Sequence, residues 1–378
     1  MYKIINRKKL IATALADCVG RAVTAPSRLL SRPGPIYPGD IRSILVIRTA
    51  YIGDVVMTIP LLKPLRERYP YARITFLTSR GGAQVLSTNP YVDEVVAYDP
   101  FWFYKTSVGE YIAFMRSFRG RAFDLVIEAR ADIRDILFLV APLRARFKVS
   151  YNVGGGGYLL THVVPYPGLK HKVQYHLDIA RYLGAEVGEP VWDLYLTDEE
   201  RARAGGVLGV RGGVSGEFIA VHPGTRLPLK RWRADRYAAL YDALADRYGL
   251  PIVMLGAENE EPIAEILGLM SNRPVTLAGK LSLREVGAVL ARARVFVCND
   301  SAPMHIAAAL GVPTAAFFGP SKSIETGPWG ARHRTIEKEF PCRYRCDENT
   351  CLFERHHACM EDIGVDDALA VVATAMGE

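Results

Sequence analysis

Three short polar stretches of this 378-residue chain combine residue types that suit a charged ligand and a proton to be moved. In Asn299-Asp300-Ser301-Ala302-Pro303-Met304-His305, a carboxylate, a hydroxyl and an imidazole follow the apolar run Val295–Cys298 and open a helix-forming one. A helix N-terminus presents unpaired backbone N–H groups and the positive end of the helix dipole, so it is a ready seat for phosphate. The same residues also suit an ordinary helix start, with Asp300 or Ser301 as cap and Pro303 in the first turn. His222-Pro223-Gly224-Thr225, followed by Lys230, offers a hydroxyl and a positive charge, with Arg231 as the competing phosphate partner. Ile52-Gly53-Asp54 supplies a carboxylate that either caps a helix beginning at Val55 or takes a proton from a bound hydroxyl. Glu258 suits a ribose hydroxyl, as do its neighbours Glu260 and Glu261. His305 shares a helix face with Ser301. Arg48, Arg130 and Arg134 suit an anionic ligand or plain surface charge equally well.

Each of these residues follows a run with the character of a buried parallel strand. Ser43–Arg48 (SILVIR) leads to Asp54, Phe218–Val221 to Thr225 and Lys230, and Pro251–Leu255 (PIVML) to Glu258. Further strands are expected at Ile74–Thr78, Glu94–Tyr98, Asp124–Glu128, Phe147–Tyr151 and Val275–Leu277. Helices alternate with them, among them Val55–Tyr69, broken by Pro60 and Pro64, then Arg134–Leu143, Lys172–Leu183, Asp235–Tyr248 and Asp366–Met376. Such alternation predicts parallel α/β sheets with right-handed crossovers. The scheme runs twice, with a joint near residues 184–217. We therefore expect a leader over 1–42, an N-terminal domain over 43–190, a C-terminal domain over 191–362 and a closing helix over 363–378. Ligands of open α/β sheets bind beyond the carboxyl ends of the strands, where the polar residues fall, so a cleft between the two domains is expected. Neither half has a G-x-G-x-x-G between a strand and a helix, which argues against a nicotinamide oxidoreductase. Gly154–Gly157 reads as a flexible loop.

The net charge of +7 is concentrated at one end. Residues 1–42 hold eight basic residues against Asp17 and Asp40, a net of +6, and the other 336 residues are close to neutral. That argues against nucleic-acid binding, which needs its basic stripe on the fold. With Ile4, Ile5, Leu10, Ile11 and Leu15 between its charges, the leader suits either an anionic membrane surface or a solvated basic tail. No apolar run approaches the ~20 residues needed to span a bilayer and no signal peptide is evident. A cytoplasmic protein is expected, peripheral on the inner face of the cytoplasmic membrane if the leader binds it. Cys342, Cys346, Cys351 and Cys359 cluster within 342–359; their spacing lacks the common C-x2-C pairs, so structural metal and reduced thiols both stay open.

Ile44–Pro60 (ILVIRTAYIGDVVMTIP), His222–Trp232 (HPGTRLPLKRW) and Asp300–Pro320 (DSAPMHIAAALGVPTAAFFGP) resemble the three signature blocks of the ADP-heptose:lipopolysaccharide heptosyltransferases, glycosyltransferase family 9. The blocks stand in the family's order, and the likeness runs from Ser43 to Met360, including the Cys-rich segment ending in Cys359-Met360. The resemblance implies a GT-B fold, two Rossmann-like doubly wound domains with an interdomain cleft, the sugar nucleotide mainly in the C-terminal domain and the acceptor in the N-terminal one. It implies transfer with inversion at the anomeric carbon, with Asp54 as general base, Thr225 and Lys230 at the diphosphate and Glu258 near the nucleoside. Asp300, Ser301 and His305 match the donor-contacting D-[TS]-G-x-x-H turn. Ala302 stands where that pattern has glycine, which leaves the donor open. The donor is expected to be ADP-heptose or another nucleotide sugar, the acceptor a lipopolysaccharide core or other glycolipid. A non-catalytic sugar-nucleotide or glycolipid binder on the same fold is the alternative.

Sugar transfer from a diphosphate donor must take a proton from the acceptor hydroxyl and meet the charge of the leaving diphosphate. Lys230 and the helix opening at Ser301 suit the second demand without a metal or other cofactor, and no D-x-D pair lies at a strand end. Asp54 suits the first, although a carboxylate at a helix N-terminus is stabilised as an anion and weakened as a base.

Overall fold

The computed structural model describes residues 7–30, 34–346 and 348–378. Lys3, Ile4, Ile5 and Arg32 of the leader lie outside the described residues, as does the side chain of Arg28. The chain divides into two compact units, Met1–Val191 and Trp192–Glu378.

The first unit holds six parallel strands: β1 (Ser43–Arg48), β2 (Arg73–Thr78), β3 (Glu94–Ala97), β4 (Ala122–Glu128), β5 (Arg144–Tyr151) and β6 (His162–Val164). Their order is β3-β2-β1-β4-β5-β6. This doubly wound order reverses between β1 and β4, and the crevice at such a reversal is where open sheets bind ligands. The register sets Ile47 beside both Leu77 and Glu128, so Arg48 and Glu128 come to the same rim. Ile44, Leu45, Val46 and Ile47 are all fully buried, which accounts for the unbroken apolar run;.

Helix α1 (Arg7–Leu30) lies on this unit. After β1 come α2 (Ile52–Val56), a 3-10 turn over Ile59–Leu61 and α3 (Leu62–Arg68); Pro60 and Pro64 interrupt what the periodicity read as one helix;. Helix α4 (Lys172–Tyr182) starts at a cap where His171 accepts from Val173 N–H at 3.2 Å. The expected Arg134–Leu143 helix is a short α turn, Ile133–Asp135, running into a π-helix over Ile136–Val140. Gly154–Gly157 differs from a flexible loop in having a partner. Asp17 of α1, 1% exposed, accepts from Gly156 N–H at 2.8 Å. Gly20 lets α1 approach so closely that any Cβ there would enter the Tyr158 ring.

The second unit repeats the plan with β7 (Ile219–His222), β8 (Ile252–Met254), β9 (Val275–Thr276), β10 (Val295–Asn299), β11 (Thr314–Phe318) and β12 (His333–Glu337). Their order, β12-β11-β10-β7-β8-β9, has its own reversal between β7 and β10. Cys298 pairs with His222 there, which brings residues 223–225 and 299–301 together past the strand ends. Helices α5 (Ala234–Tyr248), α6 (Ala302–Ala309) and α7 (Val365–Met376) belong to this unit. Trp232 is a core residue: it stacks on Phe317 with ring centres 4.5 Å apart and donates to Ile363 O at 3.0 Å.

Candidate active site

In the first unit the site grows from the β1/β4 reversal. Asp54 lies within α2, not before it, and its carboxylate turns away from the helix N–H groups. Oδ1 meets Arg48 Nη2 at 2.6 Å and Lys172 Nζ at 2.9 Å. No hydrogen bond to Oδ2 is found among the described residues. Burial would raise this carboxyl, but Arg48, Lys172 and Arg130 outweigh it and hold Asp54 far below the ordinary aspartate range;. The cap position belongs to Tyr51, whose φ of +56° is strained for a residue with a side chain;. Tyr104 holds that turn, accepting from Tyr51 N–H at 3.2 Å and donating to Thr49 O at 3.2 Å. Arg130 lies 3.9 Å above the Phe103 ring, and its Nη1 is buried with no hydrogen-bond partner among the described residues. Arg134 is tied to Asp132 at 2.8 Å.

In the second unit the site grows from the β7/β10 reversal. Lys230 Nζ meets Asp300 Oδ2 at 2.7 Å and Glu348 Oε2 at 2.8 Å. Burial would lower this ammonium, but Asp300 and Glu348 prevail and raise it, so Lys230 stays charged. Thr225 Oγ1 donates to Asp300 O at 3.4 Å, and Ser301 Oγ lies 3.2 Å from His222 Nδ1. Asn299 fixes the two strand ends, donating to Pro223 O and accepting from the Tyr237 hydroxyl. Ser301 is the residue before α6, yet no side chain caps that helix. The terminus thus keeps its attraction for an anion. Ala302, half-buried, is the first residue of α6, and His305 is buried one turn on.

The acid beside this cluster is Glu260. It lies 3.2 Å from His222 Nε2 and accepts from Ala257 N–H at 2.8 Å, whereas Glu258 is exposed. Burial pushes Glu260 up, but its contacts with His222 and Ala257 hold it below the ordinary range. A cavity of about 790 Å³ opens here, lined by Arg231, Trp232, Ala257, Glu260, Glu261 and Pro262 among others. That is the size of a small-molecule site. His357, from the Cys-rich segment, bonds Leu229 O at 2.7 Å and so braces the turn that carries Lys230.

A sequence model of "Glycosyltransferase family 9 (heptosyltransferase)" matches residues 111–357. The chain belongs to glycosyltransferase family 9. The resemblance to this family is borne out, and a family 9 chain is an enzyme of sugar transfer. The chain is 28% identical to lipopolysaccharide heptosyltransferase 3 of Escherichia coli K12 over 329 residues, 79% of this chain and 90% of that one. Its fold is similar to the family 9 glycosyl transferase of Veillonella parvula, with a TM-score of 0.77, 22% identity and coverage of 91% and 98% of the two chains. It is similar as well to E. coli ADP-heptose lps heptosyltransferase II, with a TM-score of 0.69, 24% identity and coverage of 88% and 98%. The expected GT-B class, with two Rossmann-like units, is borne out.

Sequence reasoning singled out Asp54, Thr225, Lys230, Asp300 and Ser301, and the structure gathers the last four into one cluster. It missed Lys172, Glu348 and the part of His222, and left Glu260 as an alternative to Glu258. For Lys172 the sequence carries no local signal: it opens an ordinary amphipathic helix 118 positions from Asp54. No disulfide joins Cys342, Cys346, Cys351 and Cys359. Among the described residues no group of three or more His, Cys, Asp or Glu side chains is arranged to hold a metal ion.

Proposed function

We propose that this glycosyltransferase moves heptose from ADP-heptose to a lipopolysaccharide-core acceptor, with inversion at the anomeric carbon. The names of its relatives support the sugar and the acceptor. The observation that carries the donor side is Lys230, half-buried, cationic and 2.7 Å from Asp300, beside an uncapped helix end and a cavity of small-molecule size;. In this reading Lys230, Thr225 and the N-terminus of α6 receive the diphosphate, and Glu260, in place of Glu258, is the acid that faces the nucleoside. As the bond from the anomeric carbon to the diphosphate breaks, negative charge grows on the leaving oxygen. A fixed cation and backbone N–H groups already aimed there stabilise it without reorganising.

The acceptor hydroxyl attacks the opposite face of the anomeric carbon and gives its proton to Oδ2 of Asp54. With Oδ1 held by Arg48 and Lys172, the carboxylate is fixed in orientation but is a weak base;. Such a base suits a proton that leaves late, once the new bond to an electron-poor carbon has made the hydroxyl acidic. Arg130, with a buried donor unspent, suits an anionic group on the acceptor.

Ala302 in the first turn of α6, where the family's pattern has glycine, favours a second reading in which the same chemistry uses another nucleotide sugar. A thermal-shift screen against ADP-, GDP- and UDP-sugars tests both. ADP-heptose is expected to raise the melting point, because a ligand bound only by the folded state stabilises it. A response confined to a GDP- or UDP-sugar would reject the ADP-heptose reading.

A further inference from the structure

The face of α1 turned away from the protein is apolar, and the helix's one acidic residue, Asp17, lies on the opposite side. Thr13, Asp17, Gly20 and Thr24 form the docked side, fixed by the Asp17 bond to Gly156 and the close approach to Tyr158. The opposite side carries Ile11, Leu15, Val19 and Val23, spaced by four residues and 52%, 63%, 63% and 73% exposed. Residues four apart are neighbours on a helix, so these form a single ridge, roughly 18 Å long at 1.5 Å per residue. A helix packed on a globular unit ordinarily turns its apolar side inward and its polar side to water. Here the inward side is the small and polar one.

The charges around the ridge have one sign. Arg7, Lys8, Lys9 and Arg21 are exposed, and Asp17, the helix's single acid, is buried on the docked side. A second copy seated on the ridge, parallel or antiparallel, would bring basic groups against basic groups. An anionic bilayer matches both features, taking the ridge among its acyl chains and the basic residues among its headgroups.

We propose that α1 is a membrane-docking helix that binds anionic phospholipid through Ile11, Leu15, Val19 and Val23, with Arg7, Lys8, Lys9 and Arg21 on the headgroups. No helix among the described residues is long and apolar enough to cross a membrane, so α1 lies in the interface. This inference is independent of which sugar is transferred, because the lipids that test it carry none.

The full chain is sedimented with vesicles of phosphatidylcholine alone and of phosphatidylcholine mixed with phosphatidylglycerol, at low and high salt. The wild-type protein is expected to bind the mixed vesicles, more weakly as salt rises, and to leave phosphatidylcholine unbound. Ile11→Ser/Leu15→Ser/Val19→Ser/Val23→Ser is expected to lose about tenfold or more in affinity while keeping the wild-type melting temperature. Lys8→Glu/Lys9→Glu/Arg21→Glu, which leaves the ridge intact, is expected to lose binding as well and decides the matter should the serine variant not fold. Binding by both variants at the wild-type level, or none by the wild type, overturns the proposal. So does a dimer in solution that the serine variant abolishes without any vesicle binding, which would give the ridge to a second copy.

Discussion

Arg48 at the end of β1 and Asp54 within α2 meet at 2.6 Å, through Nη2 and Oδ1, across the turn that joins the two elements. The contact leaves one carboxylate oxygen engaged and the other open. It also explains why Asp54 is not a helix cap: a buried arginine outbids the backbone N–H groups for the same anion, since hydrogen bonds between charged groups are the stronger kind.

Asp54→Asn keeps the shape of the side chain and removes its capacity to take a proton. Turnover is expected to fall by about 10²–10⁴-fold, the usual weight of a general base. Affinity for ADP-heptose, read by calorimetry, should stay within a few-fold of wild type, because Asp54 belongs to the first unit and the donor residues to the second. Unchanged turnover would remove Asp54 from the mechanism.

Lys172→Met tests the second cation on Oδ1. In the wild type Asp54 stays ionised throughout the neutral range, so the pH profile of kcat should show no acid limb from this group. Without Lys172 the carboxyl takes up its proton at a higher pH, so any acid limb should move upward, with Arg48 and Arg130 still opposing it. Stability follows the same sign. A carboxyl depressed in the folded state contributes its full stability above its ordinary value and loses it progressively as pH falls from that value toward the depressed one. Lys172→Met should therefore flatten the fall of melting temperature with acidification; an unaltered profile would show that Lys172 does not act on Asp54.

Lys230→Ala and Glu348→Gln should move donor binding in opposite directions. Loss of the cation is expected to weaken donor binding about 10–100-fold, the worth of one or two hydrogen bonds to a charged group. Glu348 occupies Lys230 from the Cys-rich segment, where a diphosphate would compete with it. Removing its charge should tighten donor binding by roughly threefold, as expected for a partly exposed ion pair. Equal weakening by both would make Glu348 a support for the site.

Gly20→Val should loosen α1 and leave the sheets untouched. Its side chain would collide with the Tyr158 ring, and forced overpacking costs about 1–3 kcal/mol;. Hydrogen exchange should quicken across α1 and in Gly154–Gly157 while β1 and β4 keep their protection.

Much of this architecture is legible along the chain. SILVIR and VFVCN are continuous apolar runs because parallel strands covered on both faces leave no alternating polar side, and the residues after them are polar because the carboxyl ends of those strands open to ligand. Asp54, Lys230, Asp300 and Ser301 stand out for that reason, each in the segment that follows a strand. The pairs that set their chemistry are not local. Lys172 reaches Asp54 across 118 positions, and Lys230 reaches Asp300 across 70. Nothing in KVQYHLDIARYL marks its first lysine, and nothing in the run Glu258–Glu261 says which acid turns toward His222. Side-chain direction there depends on where neighbouring strands end, and strand order is a property of the folded sheet. The sequence by itself determined two doubly wound units and a family. Only the tertiary structure decided that Asp54 is an anion held by two cations, that Glu260 takes the inward place, and that α1 turns its apolar ridge outward, because each of these rests on contacts between segments that meet only in the fold.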